Sequence, residues 1–339
     1  MSFKVRVEPS GHLIEVQDGE TILEAALREG FSLAYSCRNG ACGTCKGTIV
    51  QGLVDYGHYE AKALSAAERA TGKALFCRAT PLTDLVVEAR ELGAARGIVI
   101  RTMPCRVVRK EQLAHDVMAL YLKRPQAEVF RFLAGQYVDI LLKDGRRRSF
   151  SLANAPEHDE LLELHVRRVA GGHFSEYVFT GMAEKTLLRI EGPLGTFFMD
   201  EQSPRPVLLI AGGTGFAPIK GMLEHHFATG AERSMHLFWG VRALRDLYMD
   251  ALARGWTGTH AAFQYTPVLS EPGPADGWLG ARGYVHEEVV RQYPDLSGYD
   301  IYASGPPAMV QAAHALFCAH GLPPDRLFSD SFEYARDGR

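Results

Sequence analysis

A chain of 339 residues is long enough for two or three domains, each with its own core. With 46% hydrophobic residues, 23% charged residues and a formal net charge of -3, it is neither a disordered chain nor one built to grip nucleic acid. The opening MSFKVRVEPS has no apolar leader and no apolar run approaches the ~20 residues that cross a bilayer, so a cytoplasmic location is expected.

In chain order, residues 3–7 and 13–16 read as two strands of a hairpin about Pro9-Ser10-Gly11. A short helix follows, opened by the capping-box pair Thr21 and Glu24, striped by Leu23, Ala26 and Leu27, and stopped at Gly30. A cysteine-rich loop comes next, then TIVQGLV as one strand and DLVVEA as another, which closes a unit over residues 1–92. ELGAARGIVIRTMP has little periodicity, and a linker is expected over 93–102. Residues 103–201 hold short β-type runs split by turn residues (CRVVRKEQLAHDVMALYLKRP, GQYVDILL, LLELHVRRV, TLLRIEGPLG), as an antiparallel barrel requires. Residues 202–339 change character: VLLIA, MHLFWG, AAFQYTPV and DIYASG alternate with helical segments, the pattern of a parallel α/β sheet.

Six cysteines are too few for a disulfide scaffold in a chain this long. Cys37, Cys42 and Cys45 give C-x4-C-x2-C, and Cys77 follows after 31 residues, which is the plant-type [2Fe-2S] spacing. Glycines at 40, 43 and 47 allow tight turns that point main-chain N–H groups at the sulfurs. Structural zinc is the alternative for four cysteines, but zinc favours paired C-x2-C clips. Cys105 and Cys318 stand apart and read as small buried hydrophobes.

YSCRNGACGTCKG resembles the cluster loop of plant-type ferredoxins, which implies a β-grasp domain at the N-terminus. Residues 1–90 carry 10 Lys and Arg against 11 Asp and Glu, a balance of -1, unlike the strongly acidic free ferredoxins, so docking by long-range charge steering is not expected.

Three further segments resemble, in order, the motifs of the ferredoxin-NADP reductase superfamily. Arg148-Ser149-Phe150-Ser151 is similar to its R-x-Y-S motif, which implies that Arg148 neutralises a flavin diphosphate, Phe150 lies against the isoalloxazine, and Ser151 bonds near the reactive ring nitrogen. HVRRVAGGHFSEYVF resembles the second segment and implies phosphate contacts from the strand residues His165, Val166 and Arg167. The turn Gly172, His173, Phe174 and Ser175 would add backbone amides and a hydroxyl. The histidines His165 and His173 are expected as phosphate or backbone contacts and not as proton shuttles. GPLGTF at 192–197 matches the G-P-x-G turn.

The turn Gly212-Gly213-Thr214-Gly215 with Pro218 departs from the classical dinucleotide fingerprint but is similar to the nicotinamide motif of the same superfamily. Ser304, Gly305 and Pro306 stand where that superfamily has C-G-P, and Phe332 resembles its C-terminal aromatic near the flavin. Ser151, Ser304 and Phe332 are therefore the residues expected beside the chemistry. Ser270-Glu271 puts an acid where NADPH-using relatives carry an arginine, which favours NADH; Arg242 is the competing cation.

The whole chain thus resembles the reductase components of bacterial oxygenase systems and the related CDP-6-deoxyhexose reductases. The resemblance implies a multidomain α+β and α/β protein with a β-grasp ferredoxin, an antiparallel β-barrel FAD domain and a parallel α/β nicotinamide domain. It also implies electron flow from NADH through FAD to the [2Fe-2S] cluster, and onward to a terminal oxygenase or hydroxylase component or its ferredoxin, or else to a sugar dehydrase.

Overall fold

A computed structural model of the protein describes residues 2–95, 97–126 and 129–333. The chain falls into two compact units, one comprising the residues up to Val99 together with Leu194–Thr196, the other the remainder.

In the first unit the elements run β1 (Ser2–Glu8), β2 (His12–Gln17), α1 (Ile22–Arg28), β3 (Lys46–Gln51), β4 (Val54–Asp55), α2 (Ala66–Ala70), β5 (Lys73–Leu75), β6 (Thr80–Pro81) and β7 (Leu85–Glu88). β1 and β2 form the expected hairpin, Val5 opposite Ile14, and β7 lies parallel to β1 in a mixed five-stranded sheet, β2-β1-β7-β3-β5. α1 starts as the sequence dictates: the Thr21 hydroxyl accepts from the Glu24 amide, and the Glu24 carboxylate accepts from the Thr21 amide. Its buried face, Ile22, Leu23, Ala25 and Ala26, covers the sheet. TIVQGLV is not one strand, because Gly52 takes φ +99° and divides it into β3 and the short β4–β6 pair. A Cβ at Gly52 would stand 2.4 Å from the Asp84 carbonyl, so the break needs glycine twice over.

The second unit opens with β8 (Arg101–Ala114), β9 (Val117–Lys123), β10 (Tyr137–Leu141), β11 (Arg147–Ser151), β12 (Leu162–Arg167), α3 (His173–Thr180) and β13 (Leu187–Leu194). β8 begins inside the segment read as a linker. The order is β11-β10-β13-β8-β9-β12; β10 and β11, β13 and β8, β8 and β9, and β9 and β12 pair antiparallel, and an antiparallel bridge between Leu152 and Leu164 joins the two ends into a barrel. Alternation along β8 turns Met103, Cys105 and Val107 inward.

The α/β part follows as β14 (Val207–Gly212), α4 (Phe216–Thr229), β15 (Met235–Val241), α5 (Asp250–Thr259), β16 (Phe263–Leu269), β17 (Ala281–Arg282), α6 (Val285–Gln292), β18 (Asp300–Gly305), α7 (Pro307–Ala319) and β19 (Leu327–Ser331). All six strands are parallel, ordered β17-β16-β15-β14-β18-β19, and apolar layers cover both faces. The chain leaves β14 toward one edge and returns to β18 on its other side. The strand order therefore reverses between β14 and β18, where open α/β sheets bind ligands beyond the strand ends. Among the described residues no helix is long and apolar enough to cross a membrane.

Candidate functional site

The loop with Cys37, Cys42 and Cys45 lies between α1 and β3, and Cys77 follows β5. The Cys37 and Cys42 thiols hydrogen-bond to each other, as do those of Cys45 and Cys77, so all four sulfurs converge. Arg38, Gly40 and Gly43 have φ of +58°, +81° and +82°, and the loop coils around the sulfurs. The Cys42 thiol and then the amides of Asn39, Ala41 and Cys42 bring Cys37 down to about 6, while its pairing to Cys37 and burial push Cys42 well up. A Cβ on Gly40 would meet Arg78 Cγ at 2.9 Å and the His58 carbonyl at 3.1 Å, so glycine is required at that turn. An all-sulfur donor set ringed by N–H dipoles fits a binuclear iron cluster. Cys105 is outside it, with burial pushing its thiol up to about 12, and Cys318 is half-buried on α7.

The first flavin motif is the second strand of a hairpin. Asp139 faces Ser149, whose hydroxyl donates to Asp139 Oδ1 at 2.6 Å, and Val138 faces Phe150. Phe150 meets Phe174 at the start of α3, ring centroids 5.5 Å apart, which brings the first and second motifs together. Ser151 is buried at the end of β11, Arg148 is desolvated enough to lower its pKa, and Arg167 ends β12 with Nε 2.8 Å from Asp116 Oδ2. α3 starts at Gly172 with no side-chain cap, leaving its first amides to a ligand; the exposed His173 is its first residue. The Ser175 hydroxyl accepts from the Val169 amide (3.1 Å) and donates to the Gly172 carbonyl (3.0 Å), so it closes the turn. The His165 ring is likewise engaged inside the protein, with Glu163 and Tyr248 at its two nitrogens.

The two nicotinamide motifs, about 90 residues apart in sequence, sit side by side because β14 and β18 pair in register, Ala211 beside Ser304. Their approach is close enough to require glycine, against backbone at Gly215 and against side chains at Gly212. A Cβ on Gly215 would be 2.0 Å from the Ser304 carbonyl oxygen, and one on Gly212 would be 2.5 Å from Met309 Sδ and 2.8 Å from Pro306 Cδ. Gly305, at φ +148°, lies 2.9 Å from Gly212 by the same measure. Gly213–Gly215 form a single 3-10 turn leading into α4. Ser304 is fully buried and its hydroxyl has no hydrogen-bond partner among the described residues, leaving a polar atom that a bound ligand would satisfy. The Phe332 amide donates to the Gly305 carbonyl at 2.9 Å, which holds the main chain of Phe332 beside that of Gly305. Arg167 reaches it from the barrel, since a Cβ on Gly213 would be 2.7 Å from Arg167 Nη1. Glu271 and Arg242 are both exposed beyond β16 and β15, tied by the Glu271 amide to the Arg242 carbonyl at 2.8 Å.

Residues 5–82 match the family described as 2Fe-2S iron-sulfur cluster binding domain, residues 104–199 the oxidoreductase FAD-binding domain, and residues 209–315 the oxidoreductase NAD-binding domain. The chain is 39% identical over 332 residues to a CDP-6-deoxy-L-threo-D-glycero-4-hexulose-3-dehydrase reductase of Yersinia pestis, covering 98% of this chain and 99% of that one. It is 34% identical over 351 residues to a phenol 2-monooxygenase reductase component of a Pseudomonas species, covering 100% of this chain and 96% of the relative. The chain belongs to the iron-sulfur flavoprotein reductases.

Among solved structures, a cytochrome P450 reductase from Amycolatopsis superposes with a TM-score of 0.81 at 36% identity, over 97% of this chain and 98% of that one. This reductase is therefore an oxidoreductase with one domain each for a [2Fe-2S] cluster, FAD and NAD, and it transfers electrons among them. The sequence reading missed Glu163 and Lys220, buried between barrel and α/β sheet, and the half-buried Tyr248 beside them. The available signal was Lys220 itself, a lone charge in the apolar helix FAPIKGML.

Proposed function

We propose that this reductase draws on NADH specifically and delivers single electrons to a partner protein, a terminal oxygenase or its ferredoxin. A flavin accepts a hydride and releases electrons singly, the conversion that a nicotinamide and an iron-sulfur cluster need between them. The division into residues 1–92, a linker at 93–102, a barrel at 103–201 and an α/β domain at 202–339 gives each group its own module. Arg148 and the open amides of α3 neutralise the flavin diphosphate, and Ser151 bonds near the ring. The glycines of the Gly212–Gly215 turn let a pyrophosphate approach the backbone, while Ser304 supplies a hydroxyl at the nicotinamide crevice and Phe332 covers it. Glu271 disfavours a 2'-phosphate. No proton donor is required, because hydride transfer between stacked rings depends on alignment. A cytoplasmic location agrees with six free cysteines.

The observation that carries this reading is the meeting of Arg167, from the second flavin segment, with Gly213 of the nicotinamide turn. Anaerobic titration with NADH, then with NADPH, followed by visible absorption and EPR, tests it: NADH should bleach the flavin and then the cluster. Flavin bleaching with an unreduced cluster would refute the order of transfer. The 39% identity to the Yersinia protein supports a second reading, in which the acceptor is a sugar dehydrase. Purified dehydrase and oxygenase partners, each offered to the NADH-reduced protein, separate the two.

A further inference from the structure

Lys220 lies in α4 with 5% of its surface exposed, and its ammonium group is fully used: Nζ donates to the Ala153 carbonyl (3.0 Å), Glu163 Oε2 (3.0 Å) and Glu224 Oε1 (2.9 Å). Glu163 Oε1 is 2.8 Å from His165 Nε2, and His165 Nδ1 is 3.0 Å from the Tyr248 hydroxyl. Burial lowers His165, so the imidazole is neutral; Glu163, despite its burial, is held below the usual carboxylate range by its bonds to His165 and Lys220. Directionality follows. An ionised Glu163 only accepts, so His165 Nε2 carries the hydrogen and Nδ1 accepts from the Tyr248 hydroxyl. The Tyr248 ring then stands edge-on to Trp239 (5.0 Å) and Phe216 (6.0 Å), and Trp239 Nε1 donates to the Gly213 carbonyl at 2.9 Å.

An unbroken line therefore runs from Ala153, two residues past the first flavin motif, to the glycine turn of the nicotinamide motif. A buried ion pair is weak glue, often no better than apolar side chains of the same volume, whereas it fixes direction and register far more narrowly. Apolar packing already covers this layer, with Phe216 stacked on Trp239 at 4.0 Å. Adhesion therefore does not need the charges. We infer that Lys220, Glu163, His165 and Tyr248 are positioning residues that set the nicotinamide turn against flavin strand β12. They act through Trp239 and the main chain of β12, and touch no reacting atom. The inference rests on the reading that the flavin binds at β12 and the nicotinamide at the Gly213 turn.

The test uses the full-length holoenzyme and the variant Tyr248→Phe, which keeps the ring and removes the hydroxyl. Stopped-flow flavin reduction by NADH and by 4-deuterated NADH, NAD binding, thermal unfolding, and amide hydrogen exchange over residues 213–216 are measured together. Hydride transfer should fall about tenfold, since a displacement near 1 Å costs up to ~100-fold. NAD affinity should stay within twofold, the isotope effect should be expressed more fully, and exchange at the turn should quicken. Lys220→Met should move the same readouts in the same direction. Glu163→Gln can keep every bond by reversing the line, with its amide donating to His165 Nε2 and Nδ1–H donating to the tyrosine, so its rate should stay within about threefold of the unmodified protein. Transfer within twofold in folded Tyr248→Phe, or a loss carried wholly by NAD affinity, would overturn the inference. If the unmodified protein is not reduced by NADH, it is the functional reading that fails.

Discussion

Replacing Gly215 with alanine places one methyl group where two backbones already touch. The added Cβ would lie 2.0 Å from the Ser304 carbonyl oxygen, 2.5 Å from its carbon and 2.9 Å from Gly305 Cα. None of these is the end of a flexible side chain, so relief requires the turn and the end of β18 to part by about 1 Å. That separation opens the crevice at the strand-order reversal and loosens the pairing of Ala211 with Ser304. Overpacking of this kind costs roughly 1–3 kcal/mol, and the upper end applies because backbone must move. In a unit of this size, ~3 kcal/mol lowers the melting temperature by about 6–12 °C. The same shift should slow hydride transfer about 100-fold. Differential scanning calorimetry and stopped-flow flavin reduction measure the two effects, and the absorbance of the cluster, in the other unit, should be unchanged. A variant that melts within 1 °C of the parent and reduces its flavin at the parental rate would refute the close approach.

Gly255 is the contrasting case: it is exposed within α5 and a Cβ there meets nothing within 4 Å. Gly255→Ala should add about 0.5–1 kcal/mol of stability, read as a higher melting temperature with unchanged NADH kinetics. Glu271→Gln should improve NADPH use about tenfold while NADH KM stays within threefold, measured as kcat/KM for each nucleotide, because it removes an anion from beside Arg242. His225 lies 2.8 Å from both Glu157 and Glu201; burial alone would lower its pKa, but the two carboxylates raise it above 6.5. Its stabilisation is complete below the unfolded value and fades as pH rises through the folded one. Glu157, lowered from 4.5, contributes above its unfolded value, so the contact is strongest near pH 5–6. His225→Gln should lose ~0.5 kcal/mol at pH 5.5 and almost nothing at pH 9, since these groups are partly exposed; urea midpoints at the two pH values test the sign.

What the sequence determined by itself was local. C-x4-C-x2-C places three thiols together because ligand spacing and glycine turns act within one loop, and the motif calls for the fourth from Cys77; the Thr21–Glu24 box starts α1 from four consecutive residues. Alternation and turn residues were enough to expect a barrel followed by a parallel sheet. Tertiary structure decided whatever depends on partners distant in sequence. Gly52 breaks a strand because the Asp84 carbonyl occupies the space of a side chain. Which hydrogen bonds the Ser175 and His165 side chains make within the chain depends on the nearest partner in space, and those partners are Val169, Gly172, Glu163 and Tyr248. The nicotinamide crevice itself exists only because β14 and β18 pair across some 90 residues of intervening chain, and strand order is a property of the folded sheet that no single segment encodes.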